Sequence, residues 1–189
     1  MKPYILAVCT GNICRSPALE RMLRRDLGDA VAVTSAGTSA RVGEHIHPPI
    51  AEIMVGDGLS PSHFTARALT AADVTDAALV LTATTEHRSE VVRLVPSAVR
   101  RTFTLLELAR LVSTVPEEAL PDATTDRLAA IAALANAQRG RHLGSWSRDL
   151  ADPYGARPRK VATIYRELSA AEATVAAVLA QRGRHLTES

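Results

Sequence analysis

Nine consecutive residues constrain this chain more than any other stretch: Cys9-Thr10-Gly11-Asn12-Ile13-Cys14-Arg15-Ser16-Pro17. The apolar run Tyr4-Ile5-Leu6-Ala7-Val8 before them predicts a buried strand. After them Ala18, Leu19, Met22, Leu23 and Leu27 recur at helical spacing, and Pro17 suits the first helical position. In the order strand, tight loop, helix, successive backbone N–H groups from Cys9 to Arg15 can face one anion at the helix N-terminus. Gly11 supplies backbone freedom, and Asn12 tolerates left-handed geometry. Donors that hold a phosphate also stabilise a thiolate, so the Cys9 thiol is expected below the free value of about 8.5. Arg15 offers a planar fork matching two phosphate oxygens. The Ser16 hydroxyl can donate to the sulfur or to a leaving phosphate. The competing reading is a buried Cys9 beside a surface Arg15 in an ordinary strand-to-helix turn.

This stretch resembles the signature of the low-molecular-weight protein tyrosine phosphatases, Cys-x-Gly-Asn-x-Cys-Arg-Ser-Pro. A second motif of that family, Asp-Pro-Tyr, has its counterpart in Asp152-Pro153-Tyr154, and weaker similarity runs over about residues 3 to 180. The resemblance implies a three-layer α/β fold: a four-stranded parallel sheet of flavodoxin-like order 2-1-3-4, helices on both faces. It also implies Cys9 as nucleophile, Arg15 as phosphate clamp and Asp152 as general acid and base. Thr10, Gly11, Asn12, Ile13, Cys14 and Ser16 would bind phosphate, Tyr154 would stack on a substrate ring, and Ser35 would brace Asn12. It supports a disulfide from Cys14 to Cys9 that protects the nucleophile, with Cys14 as a plain buried residue the alternative.

The chain has 189 residues, enough for one phosphatase domain over 1–189 with its own core. Aromatic residues make up only 3%, so that core must be aliphatic, and a net charge of +2 gives no case for nucleic acid. No stretch reaches the roughly 20 apolar residues of a membrane span, and no signal peptide is evident, so the expectation is cytoplasmic. Two cysteines exclude a disulfide framework and leave a metal site without ligands. No cofactor or metal is expected.

Along the chain, strands are expected at Val31–Thr34, Ala77–Thr82 and, at an edge, Arg101–Thr104, with Ser35-Ala36-Gly37-Thr38 as a turn. Helices are expected at Pro48–Val55, Thr70–Val74 with Thr70 as cap, Glu86–Val95 and Leu105–Leu111. A long helix bearing Val161, Ile164, Tyr165, Leu168, Ala171, Val175, Val178 and Leu179 should end at Gly183. Residues 113–149 are an addition relative to compact family members. There Asp122 should cap a helix with Leu128, Ile131, Leu134 and Ala135 inward, closing near Gly140. Arg139, Arg141, His142 and Arg148 follow, either as a cap drawing anionic substrates or as a solvated basic end. Trp146 is expected either to line the cleft or to anchor the core.

Three departures bear on selectivity. Arg41 stands where the family often places an aromatic cleft wall, which suits an acidic substrate. Either His63 or Phe64 takes the place of a family histidine, Phe64 being the preferred reading. Thr84 replaces an acidic residue. His45 and His47 read as loop histidines without a third metal ligand. The reading is a phosphomonoester hydrolase acting on phosphotyrosine in protein, or on a small phosphate ester. Its alternatives are an arsenate reductase using a small-molecule thiol, and a phosphate-binding module without catalysis.

Overall fold

A computed structural model describes residues 4–139 and 147–180. Four strands, β1 (Tyr4–Cys9), β2 (Ala32–Gly37), β3 (Leu79–Thr82) and β4 (Thr102–Thr104), form one parallel sheet in the order β2-β1-β3-β4. β1 is central and buried on both faces, which is why it reads as an unbroken apolar run. The helices are α1 (Arg15–Leu27), α2 (Pro48–Gly56), α3 (Ala71–Asp76), α4 (Thr85–Leu94), α5 (Leu105–Val112), α6 (Thr124–Gln138) and α7 (Pro158–Ala180).

Side-chain alternation along the strands divides the core in two. Ile5, Ala7, Val33, Leu79, Leu81 and Phe103 face α1, α2, α5, α6 and α7. Leu6, Val8, Ala36 and Val80 face Val74 of α3 and Val91 of α4. Ala18, Leu19, Met22, Leu23 and Leu27 of α1 are all buried, as their spacing requires. The α7 stripe is buried as expected apart from half-buried Val178, and it also carries a buried carboxylate, Glu172.

Several boundaries differ from the sequence expectation. β2 extends to Gly37, so Ser35-Ala36-Gly37 is strand rather than turn, because it pairs with β1 out to Cys9. β3 starts only at Leu79. α1 begins at Arg15, which puts Pro17 third in the helix, still in the first turn where an amide has no intrahelical acceptor. Thr70 caps α3 in a reciprocal pair with Asp73. α6 is preceded by Ala123 without a side-chain cap, so Asp122 does not cap it. Leu128, Ile131 and Ala135 of α6 are buried and Leu134 is half-buried, so this segment shares the main core.

Arg139 corrects a further expectation. It donates twice to Glu107, at 3.1 Å each, and lies 4.0 Å over the Phe103 ring. It also donates to Val99 O and Thr102 O, at the amino end of β4. It is a packed clamp at the sheet edge opposite the ligand loop, not part of an anion-drawing cap. Gly140, Arg141, His142, Trp146 and Gly183 lie outside the described residues.

Candidate active site

The loop between β1 and α1 is held from outside by its own carbonyl groups. Cys9 O accepts from Thr38 N, Thr10 O from Ser39 N and Gly11 O from Arg41 N, each at 3.0 Å. Ile13 O accepts from His47 N at 2.8 Å, and Cys14 O from Ala18 N at 3.3 Å. With the carbonyls so engaged, the amides of residues 11–14 meet no protein acceptor among the described residues. The loop is thus an inward-facing ring of donors at the start of α1, the arrangement that binds oxyanions.

Asn12 holds the ring in shape. Its φ is +55°, in the left-handed region, and its side chain is fully buried. Asn12 Nδ2 donates to Ser16 Oγ and to Ser35 Oγ, both at 2.9 Å, while Oδ1 accepts from Arg67 N at 2.9 Å. Ser35 in turn donates to Glu20 Oε2 at 2.6 Å, and Glu20 is paired with Arg24 at 3.0 Å. Gly11 is not in the positive-φ region, so the loop's left-handed residue is Asn12 and not the glycine. The glycine that space demands is Gly37, where a Cβ would lie 2.4 Å from Thr10 O.

Cys9 Sγ lies 3.0 Å from Ser16 Oγ. Ser16 Oγ accepts from Asn12 and keeps its own proton free to give to the sulfur. Both cysteines are free thiols and both are buried. Burial, and then the neighbouring Cys9, push the Cys14 thiol up to about 12, so Cys14 stays protonated.

Arg15, 5% exposed, joins the two sequence motifs. One terminal nitrogen donates to Leu150 O at 3.0 Å; the other lies 3.2 Å from Asp152 Oδ2. Leu150 N donates to Ala83 O at 2.9 Å, so the late segment is pinned beyond the carboxyl end of β3. The Asp152 side chain remains 54% exposed, and its Oδ1 accepts from Tyr154 N. The residues around the mouth enclose a cavity of roughly 180 Å³, lined by Cys9, Thr10, Arg15, Ser39, Asp152 and Tyr154 among others. Arg41 also lines it, with its guanidinium 4.6 Å over the half-exposed Tyr154 ring, and the His47 ring lies 5.1 Å from Tyr154 on another side. No group of three or more metal-ligating side chains occurs among the described residues.

All the loop residues expected at the site therefore share one cavity or brace it, and Asp152 and Tyr154 arrive from far along the chain. Phe64 is buried in the core, while His45 Nδ1 bonds Phe64 O at 2.9 Å. Sequence reading missed His87, whose buried ring touches Thr10, and Ser39 at the rim. The signal for His87 was its place three residues after Thr84, the cap of α4.

A sequence model of the low molecular weight phosphotyrosine protein phosphatases matches residues 4–118. A probable low molecular weight protein-tyrosine-phosphatase, EpsP of Ralstonia nicotianae, is 36% identical over 104 residues, 55% of this chain and 71% of its own length. The low molecular weight protein-tyrosine-phosphatase Etp of Escherichia coli is 38% identical over 99 residues, 52% of this chain and 66% of its own. The crystal structure of the Erwinia amylovora tyrosine phosphatase AmsI superposes with a TM-score of 0.67 at 26% identity, covering 92% of this chain and 91% of that one. The family match ends before Asp152, whose place in the site rests on the geometry.

Proposed function

For a chain that belongs to the low molecular weight phosphotyrosine protein phosphatase family, we propose hydrolysis of phosphotyrosine in protein through a phosphocysteine on Cys9. The supporting observation is the inward ring of free amides around Cys9, closed by the Arg15 guanidinium.

In the first step the Cys9 thiolate attacks phosphorus in line. The S–P bond forms as the P–O bond to tyrosine breaks. The loop amides and Arg15 hold the three equatorial oxygens where charge develops. Asp152, carrying a proton, delivers it to the leaving phenolate oxygen, so tyrosine departs neutral. In the second step Asp152, now ionised, takes a proton from water. That water attacks phosphorus, the S–P bond breaks, inorganic phosphate leaves and the Cys9 thiolate returns, held by the Ser16 hydroxyl. Tyr154 at the cavity wall offers a face for the substrate ring, and Arg41 above it favours acidic residues beside the phosphotyrosine.

Attack by Cys9 requires a free thiol at that position, which a reducing cytoplasm would keep. In this reading residues 1–189 act as one domain, with 113–149 an addition whose helix shares the core. No helix among the described residues is long and apolar enough to cross a membrane.

The test is aryl phosphate turnover by the Cys9→Ser variant. Hydrolysis should vanish while vanadate or phosphate still binds. Undiminished turnover in that variant would refute the assignment.

A further inference from the structure

His87 lies on α4, outside the cavity lining, and is 5% exposed, yet both ring nitrogens are engaged. Nδ1 is 2.7 Å from Thr84 Oγ1, and Nε2 is 2.8 Å from Thr10 Oγ1. The Thr84 oxygen also accepts from the His87 backbone N–H at 3.3 Å, as the cap of α4. Two tautomers fit these contacts, and one of them gives the Thr84 hydroxyl proton a protein acceptor. Thr84 has one proton, and among the described residues its sole acceptor is Nδ1. With Nδ1 accepting, the ring hydrogen sits on Nε2 and is donated to Thr10 Oγ1. The Thr10 oxygen is then an acceptor toward His87, and its own proton is left for another partner. Thr10 is exposed, immediately follows the nucleophile and lines the cavity.

We propose that His87 is a positioning residue that turns the Thr10 hydroxyl into a further hydrogen-bond donor to the bound phosphoryl group. The inference rests on the phosphatase reading for what occupies the cavity. The charged groups facing the ring are Arg15, Asp152, Glu86 and Glu90. Burial first, and then Arg15, hold the imidazole below its ordinary value, so it stays neutral and can accept on Nδ1. A protonated ring would donate from both nitrogens and accept nothing from Thr84. The backbone amides alone do not provide this donor. It comes from a side chain on the loop, aimed by a helix on the other face of the sheet.

The experiment measures the inhibition constant for inorganic phosphate, and kcat and KM for an aryl phosphate, in Thr10→Val, Thr10→Ser, His87→Ala, His87→Gln and the Thr10→Val/His87→Ala double variant. A hydrogen bond to a charged group predicts that Thr10→Val weakens phosphate binding roughly 10- to 100-fold. Thr10→Ser should recover most of that loss. His87→Ala should weaken binding in the parent but add nothing in the Thr10→Val background, and His87→Gln, which keeps a donor toward Thr10, should restore it. Unchanged phosphate affinity in Thr10→Val overturns the inference. So does a His87→Ala loss of equal size in both backgrounds, the result expected of a merely structural histidine. If His87→Ala fails to fold, Thr10→Val against Thr10→Ser decides the matter. Turnover by the parent chain with phosphate affinity unmoved by these changes sinks this inference alone. Absence of turnover in the parent sinks the phosphatase reading, and the phosphate affinities still judge Thr10 and His87.

Discussion

The two sides of the cavity are held in different ways. The phosphate loop is tied by five carbonyl acceptors and by three hydrogen bonds to a buried Asn12. The Asp152 side lies about 140 residues away in sequence, has a half-exposed carboxylate, and is pinned through Leu150 and Arg15. The difference suits the proposed chemistry. Groups that meet developing charge act best when fixed beforehand, because they then need no reorganisation at the moment of reaction. A group that passes a proton to a leaving oxygen and later takes one from water must reach both, so it stays open to solvent.

Removing the open side gives the largest expected effect. Asp152→Ala should lower kcat by roughly 10²–10⁴, while inorganic phosphate inhibits at least as well as before. A matching fall in phosphate affinity would mean that both sides act as one unit.

A change behind the loop comes next. Burial, and then the neighbouring Asp26, push the Glu172 carboxyl up to about 8. The folded state therefore keeps this proton over a range where the unfolded chain, near 4.5, has released it. The contribution is fully present below 4.5, is lost as pH rises toward about 8, and is flat above. Glu172→Gln should thus gain a few kcal/mol relative to the parent at alkaline pH, read by denaturant titration against pH. Phosphate affinity at pH 6 should not move, because the loop is held by its own bonds and not by α7. Equal pH slopes in parent and variant would remove Glu172 from the account.

Gly37→Ala attacks the fixed side through sterics. Its Cβ would lie 2.4 Å from Thr10 O and 3.0 Å from Ala40, and such overpacking costs about 1–3 kcal/mol. Turnover and phosphate affinity should fall together, unlike the split expected for Asp152→Ala. The smallest effect is at the rim. Tyr154→Ala or Arg41→Ala should change KM for aryl phosphates about two- to fivefold with kcat little altered, the size of an exposed cation–π contact. A large kcat effect there would place the rim among the fixed parts.

Much of the fixed side could be read from the chain because its parts are adjacent. Strand, loop and helix lie within residues 4 to 27, and local periodicity locates each of them. Asn12 and Ser35 were legible through the resemblance, and their contact is present at 2.9 Å. The helix face of α7 was legible too, but Glu172 was not, since a periodicity rule ignores a single charged residue within an apolar stripe. The end of β2 was misplaced because Ser-Ala-Gly has turn chemistry locally, whereas pairing with Cys9 keeps it extended.

By itself the sequence determined the parallel α/β class and the amide ring around Cys9, because backbone geometry over a few residues is set by local sterics and by apolar period. Only the tertiary structure decided that Arg15 reaches Asp152, that His87 meets Thr10, and that Arg139 clamps Glu107 instead of greeting an anion. Those contacts join residues 32 to 137 positions apart. Their distances follow from how whole elements stack on the sheet, which no short window of the chain encodes.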